Sequence, residues 1–172
     1  MRALLDGVIR RGYRLVYLGL RVWWLVRRPA TRGTGVALWH AGRLLMVRTS
    51  YRHCYSLPGG FVRRGEPSEQ AARRELLEEI GLDLSGRELR LAWSGTLAFE
   101  SRQDTTDIWE VLLESPPAVH ITSYEIIWAG WLSPAEALEK RLLPHIAVYL
   151  ADRERASTTD MEGSDSETAP PR

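Results

Sequence analysis

A single cysteine, Cys54, occurs in the 172 residues. One thiol can neither close an internal disulfide nor build a thiolate metal cluster. The chain is therefore expected in a reducing, cytoplasmic compartment, with Cys54 a small buried residue. Lysine is as scarce, for of 23 basic residues only Lys140 is one. That is a matter of codon bias more than of chemistry, so no single arginine carries weight alone. Long uncharged runs are also missing from the N-terminal stretch MRALLDGVIRRGYRLVYLGLRVWWLVRRP. After Arg11 the longest is LVYLGL, whereas a spanning helix needs about 20 mainly apolar residues. The stretch is a poor transmembrane candidate. Nor does it resemble a secretory signal, because the apolar centre is broken and no small-residue cleavage site follows. A net charge of +1 favours no partner.

What is present is unevenly placed. Residues 1–32 carry eight arginines against one acid, Asp6, while 156–171 carry four acids and no base. At helical spacing Arg10, Arg14, Arg21 and Arg28 form a narrow stripe. Leu4, Val8, Leu15, Leu18, Val22 and Leu25 lie to one side of it, with Tyr17, Trp23 and Trp24 nearby. So broad an apolar face of an amphipathic helix must be covered. Packing on the domain, or on a second subunit in a homodimer, is the favoured cover. The alternative is a peripheral contact of residues 1–28 with the inner face of a membrane, arginines at the lipid phosphates.

The chain divides into an arginine-rich helix over 1–32, a main domain over 33–155 and an acidic tail over 156–172. The tail lacks aromatic and β-branched aliphatic residues and reads as disordered. In the main domain Val36–Trp39 and Leu44–Val47 form a hairpin, and a helix runs over Pro67–Ile80 with Gly81 past its end. Further strands fall at Leu89–Phe99, Asp107–Glu114 and Ile126–Leu132. A capping box at Ser133–Glu136 opens a short helix to Lys140, and another helix runs from Pro144 to about Arg155. Strands interleaved with a few helices make a mixed α/β domain with 44% hydrophobic content, enough for a core.

The most charged stretch of that domain is GGFVRRGEPSEQAARRELLEEIGL, starting at Gly59. On its helix Glu75, Glu78 and Glu79 stand at i, i+3 and i+4 and project from one surface, while Ala72, Leu76 and Ile80 face the sheet. Clustered carboxylates repel, and are neutralised by arginine or by a hard divalent cation. A charged run alone is most often a solvated face.

Spacing overturns that plain reading. Gly60 is followed after five residues by Glu66, and after seven more by Arg74, Glu75, Leu76, any residue, Glu78 and Glu79. One further position leads to Gly81 and Leu82. This resembles the complete Nudix box of the Nudix hydrolases; chance agreement at every position is roughly a one-in-a-million event. Leu57-Pro58-Gly59-Gly60 resembles the family's lead-in, and Tyr55 stands where many relatives carry tryptophan. The likeness runs from the hairpin to WLSPAEAL, about residues 33–140.

The resemblance implies an α/β/α sandwich that hydrolyses a nucleoside diphosphate linked to another group, with Mg2+ or Mn2+. It implies metal ligands at Glu75, Glu78, Glu79 and Glu66 and at the Gly60 carbonyl, with Glu78 and Glu79 in the chemistry and Arg74 orienting carboxylates. Ions held there would neutralise the diphosphate and acidify a water. The general base is a box glutamate or a later acid. Glu125 ranks first, ahead of Glu100, Asp104 and Asp107, and His120 is weaker. Arg48, Tyr51 and Arg52 are the expected substrate contacts. Trp93, Phe99, Trp109 and Trp128 could stack on a base, though most belong to the core. The leaving group is not written in the sequence. Two other classes stay open. A non-catalytic nucleotide-binding module is disfavoured because no box glutamate is missing. An RNA-end pyrophosphohydrolase is disfavoured because positive charge is not concentrated outside the N-terminal helix, so nucleic acid is not an expected partner.

Overall fold

The computed structural model describes residues 2–164, with side chains over 6–156. Its elements in chain order are α1 (Arg2–Arg27), β1 (Ala30–His40), β2 (Arg43–Thr49), β3 (Tyr55–Ser56), β4 (Gly59–Phe61) and α2 (Ser68–Ile80). There follow β5 (Arg90–Phe99), β6 (Arg102–Leu112), β7 (Ile126–Leu132), α3 (Pro134–Leu138) and α4 (Pro144–Ser164).

The strands make one seven-stranded mixed sheet. β1 runs parallel to β6 along its whole length, from Ala30 opposite Gln103 to Trp39 opposite Leu112. All other pairs are antiparallel. The two ends of β1 take different partners on its other edge: β2 at the His40 end and β4 at the Gly33–Gly35 end. That split lets the Gly59–Gly60 turn enter the sheet beside α2.

Side-chain alternation sorts β1 into two cores. Val36 and Leu38 pack with Leu76 and Ile80 of α2, and Ala37 and Trp39 pack with Ile146, Tyr149 and Leu150 of α4. The result is helix, sheet, helix. Across the second core the Trp39 indole donates to the Tyr149 hydroxyl at 2.8 Å, which in turn donates to Glu110. Arg153 pairs with the same carboxylate and lies over the Trp39 ring. Buried Glu110 of β6 is thus satisfied from α4 and, through Arg90, from β5.

Helix ends follow their expected chemistry. Gly81 stops α2 with φ 67° and donates to the Leu77 carbonyl, a left-handed cap that glycine adopts without a Cβ penalty. Ser133 and Glu136 exchange bonds in a full capping box at the start of α3.

Several boundaries differ from the sequence reading; the strand expected at Asp107–Glu114 is β6, Arg102–Leu112. β1 begins at Ala30, not Val36, because β6 starts at Arg102 and pairs the whole threonine–glycine stretch; residues 30–32 therefore belong to the sheet, not to the N-terminal segment. α3 stops at Leu138. α4 continues to Ser164, past the expected end near Arg155, since a helix anchored by buried Ile146, Tyr149 and Leu150 propagates cheaply. The rest of the expected acidic tail lies outside the described residues. Cys54 is half-buried, not buried.

The N-terminal helix brings the largest correction. α1 does pack on the domain, but through Tyr17 and Trp24, not through its aliphatic stripe. Tyr17 lies 4.7 Å from the Tyr51 ring, and Trp24 meets Phe61 edge-on at 6.4 Å. Arg14 donates to the Ser50 carbonyl at 3.0 Å. Val8, Leu15, Leu18, Val22 and Leu25 all point to solvent. No helix among the described residues is long and apolar enough to cross a membrane.

Candidate active site

α2 and β4 build one wall of a cavity of about 520 Å3. The helix repeat sets Glu75, Glu78 and Glu79 on its cavity side, while Leu76 and Ile80 anchor the opposite side in the core. Two glycines make the approach of β4 feasible. A Cβ on Gly60 would stand 2.6 Å from the Glu75 carboxyl carbon, and Gly59, at φ 149°, would drive one to 2.2 Å from the Thr34 carbonyl oxygen. With no side chain, the Gly59 amide reaches Glu79 and donates to it at 2.9 Å.

Arg74 organises the remaining carboxylates. It forks onto Glu66 at 2.9 and 3.1 Å, donates to Glu75 at 2.6 Å and reaches Glu78 at 3.3 Å. Those bonds, with one from the Arg63 amide, hold the Glu66 carboxyl down at about 2. Glu75 is different, for burial pushes its carboxyl up despite Arg74. Glu79 goes furthest, to about 8. Burial is the main cause and the neighbouring carboxylates add to it, against the pull of the Gly59 amide. Among the described residues no arginine or lysine pairs with Glu79. Its carboxylate is buried with one amide for company.

Glu125 completes the acidic group. The loop before it is fastened to the end of α2: the His120 amide donates to Ile80, the Thr122 amide to the Glu79 carbonyl and the Thr122 hydroxyl to the Glu78 carbonyl. Those bonds satisfy carbonyls that a helix end leaves open. They also aim Glu125 into the cavity, where Tyr51 donates to it at 2.9 Å. Burial and the Glu125 charge raise the Tyr51 hydroxyl far above its usual range, so it stays a donor.

Of the residues expected from the sequence, Gly60, Arg74, Glu75, Glu78, Glu79, Glu125, Tyr51 and Arg52 share this cavity. Glu66 stands behind it, held on Arg74. Arg48 is not among the lining residues; its guanidinium leans on Tyr55 at 5.8 Å. Of the rival acids, Glu100 is tied to Tyr17 and Arg102, Asp104 to Arg102 and Thr31, and Asp107 to Arg32 and Ser94. His120 is exposed. Trp93, Trp109 and Trp128 pack against the two cores, leaving Phe99 alone of the four aromatic candidates in the cavity.

The other wall was not read from the sequence. Tyr17 and Trp24 come from α1, Phe61 from β4, and Arg102 from the first residue of β6. The Arg102 guanidinium sits 4.0 Å from the Trp24 ring centroid and also faces Phe61 and Phe99, its charge met by Glu100 and Asp104. Its buried Nε has no hydrogen-bond partner, and neither do the Thr34 and Thr49 hydroxyls on the same cavity. The cavity thus joins an acidic group to an aromatic, arginine-bearing one. Tyr17 and Trp24 stand seven residues apart, two helical turns, which is the one signal that pairs them in the sequence.

As they stand, no three acidic, histidine or cysteine side chains among the described residues already converge on one ion position. Arg74 occupies Glu66, Glu75 and Glu78 instead. The donor set nonetheless fits a hard divalent cation: oxygen only, with a buried carboxylate that lacks a counter-charge.

The NUDIX domain family model matches residues 29–152. A MutT-like protein from Streptomyces ambofaciens is 31% identical over 120 residues, 69% of this chain and 72% of that one. Among solved structures, a C. elegans Ap4A hydrolase in a binary complex aligns with a TM-score of 0.65 at 20% identity, covering 75% of this chain and 98% of that chain. A bifunctional NMN adenylyltransferase/ADP ribose pyrophosphatase from Francisella tularensis, complexed with AMP and a manganese ion, aligns with a TM-score of 0.62 at 19% identity. It covers 90% of this chain and 50% of its own. Both structural likenesses, at such identities, speak for the fold.

Proposed function

The chain belongs to the Nudix family, and on that premise we propose that it hydrolyses a diphosphate linkage in a nucleoside diphosphate derivative with the help of Mg2+ or Mn2+. The observation that carries this is the gathering of Glu75, Glu78, Glu79 and Glu125 on one cavity, with Glu79 buried and lacking a cationic partner. A protein that keeps such a carboxylate has a use for a cation there.

Glu75, Glu78 and Glu79, with the Gly60 carbonyl, would hold the ion. When bound, it supplies positive charge that offsets the diphosphate's repulsion of a nucleophile. The chain's own groups prepare the rest. The Gly59 amide fixes the Glu79 carboxylate, so its orientation precedes ligand binding. Arg74 keeps Glu66, Glu75 and Glu78 together against their mutual repulsion. Glu125, held by the Tyr51 hydroxyl, takes the proton of the attacking water. Beyond the acids, the exposed Phe61 ring, backed by the buried Trp24 and Tyr17, provides a flat surface on which a base or another planar group stacks, and Arg52 provides a fixed positive charge.

The relatives frame the substrate class. An Ap4A hydrolase and an ADP ribose pyrophosphatase both share the fold, and both are named for nucleotide substrates. The test is a panel of nucleoside diphosphate derivatives, including those two compounds, assayed with Mg2+ for release of a phosphate monoester. At least one member should be cleaved. Glu78→Gln should lower turnover by at least about a hundredfold while leaving the fold intact. Full activity in that variant would remove the α2 carboxylates from the reaction.

A further inference from the structure

We infer that the outward face of α1 is a docking surface for an anionic lipid bilayer. α1 spans 26 residues, about 39 Å at the helical rise. Its inward face is settled by Tyr13, Tyr17 and Trp24 against the domain. Opposite them Val8, Leu15, Leu18, Val22, Leu25 and Val26 are between 57% and 74% exposed. At the helical repeat these six fall within an arc of about 100°. Scattered apolar residues on a surface need no explanation, but an unbroken strip from Leu15 to Val26, about three turns long, with Val8 beyond Arg11, does.

The charges beside the strip decide what covers it. Arg11 lies within the arc and Arg21 follows one edge, whereas Arg27 stands about 100° past the other edge, off the strip; all three are exposed. None pairs with an acid among the described residues. The one acid in residues 1–28 is Asp6, which lies on the inward side. A second copy docked by this face would bring arginine rows together with no carboxylate between them, and like charges so juxtaposed oppose association. The chain's own acidic end could neutralise arginines, yet residues 157–172 hold one large apolar side chain, Met161, and cannot cover the strip. A bilayer bearing phosphate headgroups meets both needs at once. Apolar side chains enter the acyl boundary, and arginines stay at the phosphates.

The orientation has a consequence for the site. Tyr17 and Trp24 line the acidic cavity from the other side of this same helix. A docked α1 therefore holds the cavity about one helix diameter, about 10 Å, from the lipid. The cavity wall and the membrane contact are two faces of one element. This placement holds for any diphosphate substrate and does not rest on the hydrolase reading.

The test is co-sedimentation of the full chain with phosphatidylglycerol–phosphatidylcholine vesicles, against phosphatidylcholine alone, at low and high salt. Two variants accompany it. Leu18→Glu with Val22→Glu places charge in the strip, and Arg11→Gln with Arg21→Gln removes headgroup contacts. All four residues lie off the cavity and are exposed, so circular dichroism and thermal unfolding should match the parent. The parent should bind anionic vesicles at low salt, with binding at least about tenfold weaker at high salt, on neutral vesicles and in either variant. Absence of binding to anionic vesicles at low salt would overturn the inference. So would binding unchanged by Leu18→Glu with Val22→Glu. A dimeric mass in solution that the same double variant makes monomeric, without any vesicle binding, would assign the face to a second copy and also overturn it.

Discussion

Replacing Glu79 by glutamine separates two demands that meet in one side chain. In the metal-free protein the Glu79 carboxyl is raised from 4.5 to about 8 by burial. The folded state therefore favours the protonated form. The stability this brings is fully present below about 4.5, the unfolded value, and is lost as pH rises through about 8. At 1.36 kcal/mol per unit the full loss has a ceiling of about 5 kcal/mol; relaxation around the charge reduces it to about 2–3 kcal/mol. Glutamine keeps the shape and an acceptor for the Gly59 amide but never ionises. Glu79→Gln should thus match the parent near about pH 5 and exceed it near about pH 9 by about 2–3 kcal/mol, or about 4–12 °C in Tm. Magnesium reverses the order. It should stabilise the parent at the higher pH and the variant less, because one ligand charge is gone. Thermal unfolding by circular dichroism at the two pH values, with and without excess magnesium, reads all of this. A Tm difference that is the same at both pH values would show that Glu79 is ionised and satisfied without a cation, and would refute the reasoning.

Other positions give sharp outcomes. Glu125→Gln should lower kcat by at least about tenfold with little change in KM, since a proton acceptor acts in the transition state; unchanged kcat would return that part to a box glutamate. Gly60→Ala sets a methyl group 2.6 Å from the Glu75 carboxyl carbon, so metal-dependent turnover should fall while the fold persists; the check is a magnesium titration of activity beside a melting curve. Trp24→Ala removes the ring that carries Arg102 and meets Phe61. It should loosen α1 and raise KM for an aromatic-base substrate by about tenfold, read from the steady state, with more modest effect on kcat.

How much of this was legible depends on the range of the interaction. The box residues were readable because their spacing from Gly60 to Leu82 resembles the Nudix box; helix spacing by itself puts Glu75, Glu78 and Glu79 on one surface and leaves a solvated face as the plain reading. Glu125 was singled out through the family resemblance, which implies an acid six residues before Trp131, and through a preceding loop long enough to return to α2. Arg102 was not, since it reaches the cavity only through the parallel register of β6 on β1, a pairing no local pattern encodes. Tyr17 and Trp24 failed for another reason. α1 has two apolar sides, and periodicity cannot tell the aromatic side that packs from the aliphatic side that does not. Arg48 was expected at the substrate from nearness to the box alone, yet in the fold it leans on Tyr55 and not into the cavity.

The central claim is that the carboxylates of α2 hold a divalent ion. Mn2+ reports this directly, because its free form gives an electron paramagnetic resonance signal that binding removes. Titrating the full chain into Mn2+ should abolish the free-ion signal, and Glu78→Gln or Glu79→Gln should weaken that binding by at least about tenfold. Binding of equal strength in parent and both variants, or none in the parent with a nucleoside diphosphate derivative present, would contradict the account.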